Sequence, residues 1–387
     1  MGRIVPQITA FQSSMSKPIS LPGSRYVICF LAVLIALAFP LRADANEPNV
    51  FVGSVGLARV VMELEGDADA VTGRYFYRKY RLDIGLSGAK AKDTLVLEAR
   101  TSGDRIVLRR TQNGMAGTLT TKAGRQLPIK LLPAGPNDTV VNPVVAGLTG
   151  LSPYQRAQLG GLELVPGKLR QQGSRTLREW REPVSGLGLF RIEHGYPQPV
   201  IDTINAALDR HQWEQVANWF SCEGFDGAPG VDIAEERAVY LDDRFVSYAW
   251  FSSWSCAGTA HPDFGSQGFT FDAQTGRQLE LEDLIYFGKM PRPEADTTAF
   301  YSYRSEVFAP KIVELLRKIH PEEMPWSGSE TNEDDCDYAD PSVWDFPSWY
   351  ITKDGLYLGA YFARVQRPCD GPDWPIIPWD HLNWRKP

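Results

Sequence analysis

The chain has 387 residues, of which 47 are acidic and 40 are basic, and its formal net charge at pH 7 is −7. Because nucleic-acid binding usually needs a basic surface, this balance excludes nucleic acid as the expected partner. The length is enough for two ordinary domains, each with its own buried core.

The first 45 residues have the pattern of a secretory signal peptide. Arg3, Lys17 and Arg25 precede an apolar run from Tyr26 to Leu41, and the small residues Ala43-Asp44-Ala45 follow it. This arrangement predicts export and cleavage after residue 45. The apolar run is shorter than the ~20 residues that span a bilayer, so we expect a periplasmic or secreted protein with no transmembrane anchor in the mature chain. The remaining 342 residues carry a formal net charge of −10.

Residues 46–135 are predicted to form an all-β domain. Short runs rich in β-branched, leucine and tyrosine residues, such as Val60–Leu64 and Arg105–Arg109, alternate with glycine-containing turns about every ten residues. This spacing is typical of an antiparallel meander, and we expect either a barrel or a sandwich. Residues 136–184 are rich in proline and glycine, which predicts a linker followed by lead-in strands.

Residues 185–387 are predicted to mix helices with antiparallel strands. Apolar residues recur at helical spacing in Pro199–Leu208 and in Phe308–His320. Strand-like hairpins are expected at 236–253, 266–281 and 346–365. Two helices packed on an antiparallel sheet make this domain, and the chain as a whole, α+β.

Four cysteines follow residue 45, an even number that fits disulfide bonds in an oxidising compartment. The predicted turn at Asp354-Gly355 places two of them nearly opposite each other in a hairpin, and the turn at Asp242-Asp243 does so more loosely for the other two. No C-x-x-C motif is present, so a structural role is favoured over a redox role. The predicted disulfides are Cys222–Cys256 and Cys336–Cys369.

The loop from Cys256 to Gly265 contains the most suggestive histidine. His261 is close along the chain to Asp263, and such a pair can act as general acid and base. We expect no metal ion, because no second histidine lies at ligand spacing. Three alternatives remain for His261, namely a structural role in the loop, contact with a ligand, and catalysis together with Asp263. Trp254 and Phe264 are further candidate ligand contacts.

Other motifs give no sign of an enzyme or a cofactor. The chain has no H-E-x-x-H, no G-x-S-x-G, no P-loop and no Rossmann glycine pattern. Ser87–Lys90 matches S-x-x-K but lies in a predicted turn, and no K-T-G accompanies it. The acidic run Glu330–Asp340 offers oxygen ligands for calcium, yet its spacing differs from that of a calcium loop and is more typical of a solvated loop.

The second domain resembles the RsiV-like extracellular domain family. Ser255–Asp263 is similar to the family's G-A-H-P loop, Phe271–Arg277 to its F-D-x-x-T-G-K/R strand end, and Leu279–Ile285 to its leucine-rich segment. Ile377–Leu382 is similar to the closing I-P-Y-x-x-L. The resemblance covers residues from about 195 to 384, and it differs from the family pattern in its four cysteines.

The resemblance implies a recognition module of the cell envelope. The family includes the sensor domain of a lysozyme-responsive anti-sigma factor and an accessory domain of some peptidoglycan deacetylases. We therefore expect a non-catalytic binding protein whose partner is a lysozyme-like protein or peptidoglycan fragments. The alternatives are an envelope hydrolase that uses His261 and Asp263 as acid and base, and a structural envelope protein.

Overall fold

An eight-stranded antiparallel β-barrel forms the first part of the protein. The computed structural model describes residues 49–66, 70–324 and 336–382, so the predicted signal peptide and most of the acidic run lie outside the described residues. Each strand pairs with the next one, and the first strand pairs with the eighth, which closes the barrel. The strands are β1 (Asn49–Val55), β2 (Ala58–Gly66), β3 (Val71–Tyr77), β4 (Ile84–Ala91), β5 (Thr94–Ala99), β6 (Arg105–Thr111), β7 (Gly114–Thr120) and β8 (Gln126–Pro133).

Alternating apolar residues fill the barrel. On β2, Val60, Met62 and Leu64 point inward and are almost completely buried. Val61, on the outward face of the same strand, is also buried, because Tyr154 of a later helix packs against it. The predicted β-rich N-terminal module is therefore confirmed, and it takes the form of a closed barrel.

The segment predicted as a linker contains ordered elements. Its helices are α1 (Pro143–Ala146) and α2 (Pro153–Leu159), and its strands are β9 (Val165–Gln172) and β10 (Arg175–Arg181). Ser152 caps α2 and forms a capping box with Gln155. Tyr154 then donates a hydrogen bond of 2.7 Å to the buried carboxylate of Asp83 on the barrel. Several prolines of this segment therefore begin helices, as proline does readily at the first helical position.

The described residues after the barrel form three three-stranded antiparallel sheets, the first of which contains β9, β10 and β11 (Gly188–His194), and residues 185–324 and 336–382 contain four further α-helices. The other strands are β12 (Val231–Leu241), β13 (Phe245–Trp254), β14 (Asp263–Asp272), β15 (Ser348–Ile351), β16 (Gly355–Gly359) and β17 (Ile376–Pro378). The helices are α3 (Gln198–Ser221), α4 (Leu281–Leu284), α5 (Thr298–Tyr303) and α6 (Ala309–Ile319), with a π-helical turn at Arg304–Phe308. Short 3-10 helices lie at Pro136–Thr139, Pro341–Trp344, Arg364–Cys369 and Trp379–His381.

Both predicted helices and two of the three predicted hairpins are present. The hairpin expected at 236–253 is β12–β13, and the one expected at 346–365 contains β15–β16. At 266–281 the chain instead turns after β14 and forms one isolated bridge between Phe271 and Gln278. With the barrel, these elements confirm the coarse α+β class.

Two cores hold the second part together. Helix α3 places Ile204 and Leu208 against Val246 and Tyr248 of the sheet β12–β13–β14. Helix α6 packs in a separate core with Trp344 and with strands β15 and β16. The described residues belong to one compact unit that begins at Asn46.

The sheets of these two cores meet at close range. A Cβ atom added to Gly268 of β14 would lie 1.5 Å from the carbonyl oxygen of Trp349 on β15. The N–H of Ile351 donates a 2.9 Å hydrogen bond to the hydroxyl of Ser247 on β13. Glycine is therefore the residue that permits this backbone approach.

The structure joins Cys222 to Cys256 and Cys336 to Cys369, the pairs that the positions of the hairpin turns predict. Their Cα–Cα distances are 5.0 and 5.5 Å, within the ordinary range for disulfides. Among the described residues, no helix is both long enough and apolar enough to span a membrane.

Candidate ligand-binding cleft

A cleft of about 420 Å³ lies between the end of α3 and the sheet β12–β13–β14. We call it the tryptophan cleft. Its aromatic and amide lining residues are Trp219, Trp250, Trp254, Gln215, Asn218 and Gln267. The volume is within the range of about 300–1,000 Å³ that is typical of small-molecule sites.

The alternation of β13 builds one wall of the tryptophan cleft. Trp250, Ser252 and Trp254 are two residues apart and therefore face the same side of the sheet. On the neighbouring strand β14, Gln267 lies opposite Trp250 and Gly265 lies opposite Ser252. Since Gly265 has no side chain, the sheet leaves room at the centre of this wall.

The disulfide Cys222–Cys256 fixes the two walls relative to each other. Cys222 directly follows α3, Cys256 follows the end of β13, and both cysteines line the tryptophan cleft. The bond closes a loop with a sequence separation of 34, which is worth about 3–4 kcal/mol in the chain-entropy model. Trp219 on the helix and Trp254 on the sheet are therefore held on opposite walls by a covalent link.

The lining of the tryptophan cleft is electrically neutral. Among its lining residues, all of which the structure describes, none carries a formal charge. The carboxamides of Gln215, Asn218 and Gln267 offer both donors and acceptors, and the indoles offer flat apolar faces with one N–H each. This combination suits an uncharged ligand that has hydroxyl groups and apolar ring faces.

A buried histidine packs against Trp250, one of the residues that line the cleft. His211 of α3 packs edge-on against Trp250, with ring centroids 5.2 Å apart, and shares a 2.8 Å hydrogen bond with the hydroxyl of Tyr248. Burial, with a smaller contribution from the charge of Arg191, lowers the pKa of His211 to about 3. The imidazole is therefore neutral at physiological pH, like the cleft in front of it.

Two buried polar atoms of this histidine–tryptophan pair have no hydrogen-bond partner in the described part of the chain. They are Nε2 of His211 and Nε1 of Trp250, and both residues are at most 5% exposed. Neutral imidazole offers an acceptor at one nitrogen, whereas the indole N–H is a donor only. His211 was not among the predicted site residues, although its position three residues after the buried Leu208 marks it as a residue of the helix's inner face.

His261 lies outside the tryptophan cleft, although Cys256 and Gly265 at the two ends of its loop line that cleft. His261 is exposed, and within the described residues its ring makes no hydrogen bond. The carboxylate of Asp263 instead accepts a 2.9 Å hydrogen bond from Arg367, whose guanidinium also lies 5.0 Å from the ring centroid of Phe264. Of the four predicted ligand contacts, Trp254 lines the cleft, and Asp263 and Phe264 anchor the loop to the 3-10 helix at 364–369.

The described residues offer no acid–base pair or metal site in this loop. No hydrogen bond joins His261 to Asp263, although both residues are described. Across residues 49–66, 70–324 and 336–382, no group of three or more His, Cys, Asp and Glu side chains could hold a metal ion. Residues 330–335 of the acidic run, considered above for calcium, lie outside these ranges.

The comparisons with known proteins assign no family. No protein-family model matches the chain, and no curated protein matches it. The RsiV-like resemblance therefore stays a prediction that depends on its motifs. The two disulfides fit a protein of an oxidising compartment.

Proposed function

We propose that the mature chain is an exported, non-catalytic binding protein that takes a segment of cell-wall glycan into the tryptophan cleft. The observation that carries the proposal is the neutral lining, in which three indoles and three carboxamides face one space of about 420 Å³. Sugar rings have apolar C–H faces that stack on indoles, and their hydroxyls pair with groups that both donate and accept hydrogen bonds.

Three further features support an envelope location. The first 45 residues have the pattern of a signal peptide, which favours export of the mature chain to the periplasm or out of the cell. The two disulfides are stable in those compartments. The resemblance of residues 195–384 to RsiV-like domains, which we propose as the family of the second part, points to a cell-wall component as ligand.

Rigidity of the cleft also favours recognition over catalysis. Trp250 is 2% exposed and packed against His211, and the disulfide Cys222–Cys256 fixes the opposite wall. A preformed site loses little conformational entropy when a ligand binds. The hydrolase alternative needs His261 and Asp263 to converge on a substrate. The Asp263 carboxylate instead accepts a hydrogen bond from Arg367, so this alternative is less favoured.

The test is titration calorimetry of the mature chain with soluble peptidoglycan fragments. In Gly265→Phe a ring should fill the cleft, because a Cβ at Gly265 would meet no atom within 4 Å and the backbone has an ordinary φ. We expect saturable heat with the unmodified chain and none with Gly265→Phe at an unchanged Tm. Gly265→Ala adds only a methyl group and is the matched control, which should keep most of the affinity.

A lysozyme-like protein is the second candidate partner. The mature chain has a net charge of −10, which favours association with a basic protein and makes that association sensitive to salt. Saturable heat with lysozyme that persists in Gly265→Phe would favour this candidate over the glycan. Silence with both ligands contradicts the proposed function and leaves a structural envelope protein.

A further inference from the structure

One end of the β-barrel forms a second cavity of about 540 Å³. We call it the barrel cup. It lies where β2, β4 and β6 end and where β3, β5 and β7 begin. The apolar side chains that line it are Phe51, Leu64, Val71, Leu95, Leu108 and Met115. Closed eight-stranded barrels are wide enough to hold one small ligand, and such ligands enter through the mouth.

The second part of the chain contacts the opposite end of the barrel. Glu223, which follows α3, accepts hydrogen bonds from the backbone N–H of Gly85 (2.9 Å) and from the hydroxyl of Thr101. Below the cup, the interior is filled by side chains that are at most 1% exposed, namely Met62, Leu97, Ile106 and Leu119. The barrel cup is therefore limited in depth.

Two cations point into the cup at its rim. Lys90 lies directly opposite Leu95, and Arg110 lies directly opposite Met115. Residues directly opposite each other in an antiparallel pair share one face of the sheet. Because Leu95 and Met115 pack with the barrel core, Lys90 and Arg110 are on the inward face as well.

No partner neutralises these two cations within the described part of the chain. Neither the side chain of Lys90 nor that of Arg110 has an ion pair or a hydrogen bond there. Arg109 adds a third positive charge to the lining, and Glu65 and Asp93 contribute two carboxylates that form no ion pair with the described cations. The three cations and two carboxylates leave the lining with a formal charge of +1. A cup with an apolar interior and two unpaired inward cations at its rim complements a ligand with an apolar tail and a negative head.

We infer that the barrel cup binds a single-chain amphiphile with a carboxylate head. Its acyl chain contacts Leu95, Leu108 and Met115, which removes apolar surface of both partners from water. Its carboxylate accepts charge-assisted hydrogen bonds from Lys90 and Arg110 at the rim. Because the filled interior limits the depth, the chain is of medium length, and a lipid with two acyl chains exceeds the space.

The experiment is a calorimetric titration of the mature chain with decanoate, at concentrations below its critical micelle concentration. We expect saturable binding of one decanoate per chain, weaker binding of decanol, and no binding of decyltrimethylammonium. Equal binding of all three amphiphiles, or of none, overturns the inference. Binding to phosphatidylglycerol vesicles in place of free decanoate also overturns it, since that result indicates a membrane surface as the partner.

Charge variants assign the binding to the barrel cup. Lys90→Ala combined with Arg110→Ala should weaken decanoate binding about tenfold, because two charge-assisted contacts are lost, and should leave decanol binding unchanged. Arg105→Ala combined with Lys130→Ala is the matched control, since both residues are exposed and lie on the outward face of the barrel. Equal loss in both double variants contradicts the assignment. Decanoate binding should survive in Gly265→Phe, which separates this inference from the glycan proposal.

Discussion

The barrel cup and the tryptophan cleft are two cavities built in opposite ways. The cup has an apolar interior and charged residues of both signs, with a net positive charge, in its lining, and its shape follows from strand register without a disulfide or a tryptophan. The cleft is neutral and aromatic, and a disulfide ties its helical wall to its sheet wall. A closed barrel needs no covalent support because every strand has two neighbours, whereas the cleft joins elements that share no hydrogen-bond ladder.

This difference predicts that ligand binding in one cavity can be lost without loss of binding in the other. Loss of the covalent tie should disturb the cleft and spare the cup, and a change at the barrel rim should do the reverse. The same contrast separates the ligands, because a neutral hydroxyl-rich molecule forms no ion pair with the cations of the cup.

Removal of the cleft disulfide should have the largest effect. Cys222→Ala combined with Cys256→Ala should lower the free energy of unfolding by about 3–4 kcal/mol, because the unfolded chain gains freedom. Glycan binding should fall with it, and decanoate binding should persist at temperatures where the variant is folded. Denaturant unfolding and calorimetry measure these effects.

The second disulfide supplies the control for that experiment. Cys336→Ala combined with Cys369→Ala opens a loop of nearly the same length, with a sequence separation of 33 compared with 34. It should cost a similar free energy of unfolding but leave glycan affinity nearly unchanged, since neither cysteine lines the tryptophan cleft. Equal loss of binding in both double variants contradicts the specific role of Cys222–Cys256.

The pH dependence of stability should carry a contribution from His211. Its pKa is about 3 in the folded protein and about 6.5 when unperturbed, so between these values the unfolded chain binds a proton that the folded chain does not. Stability is therefore fully present above pH 6.5 and declines as the pH falls toward 3. Between pH 7 and pH 5 this group should remove on the order of 2 kcal/mol.

A comparison with His211→Phe isolates this contribution. Asp83, whose pKa burial raises to about 6, acts in the opposite direction, since its stabilisation is present at low pH and is lost as the pH rises through 6. Because Asp83 is present in both proteins, its effect cancels in the difference between them. Identical pH profiles for the free energy of unfolding would mean that His211 does not titrate as described.

The tie between the barrel and α2 should give the smallest effect. Tyr154→Phe removes the 2.7 Å hydrogen bond to the Asp83 carboxylate, which still has Arg74 and Gln158 as partners. We expect a loss of about 1–2 kcal/mol in the free energy of unfolding, with both binding activities intact. Tyr80→Phe is the control, because Tyr80 is 61% exposed and should change stability little.

Local patterns predicted much of the fold. Helical spacing located Pro199–Leu208 within α3, and hairpin turns led to both disulfides. Gly276 has the positive φ, 76°, that its turn after Asp272 requires. In residues 136–184, Pro143 and Pro153 begin short helices, and the sequence alone does not distinguish such prolines from those of a linker.

The candidate site was less predictable than the fold. Reactive residue types predicted His261, which is exposed. Trp219 and Gln267 were not predicted, because they line one cleft only when α3 packs on the sheet. Trp219 and Gln267 are 48 positions apart in the chain, so no local period encodes their placement in one cleft. Trp254 was among the predicted ligand contacts, and it lines the cleft.

The most direct measurement is an NMR titration of the ¹⁵N-labelled mature chain that follows the indole N–H resonances, assigned by single Trp→Phe variants. Soluble peptidoglycan fragments should shift the resonances of Trp219, Trp250 and Trp254. Decanoate should shift none of the indoles, because the barrel contains no tryptophan. Saturating glycan that leaves these three resonances unmoved, or that moves only other indoles, contradicts recognition in the tryptophan cleft.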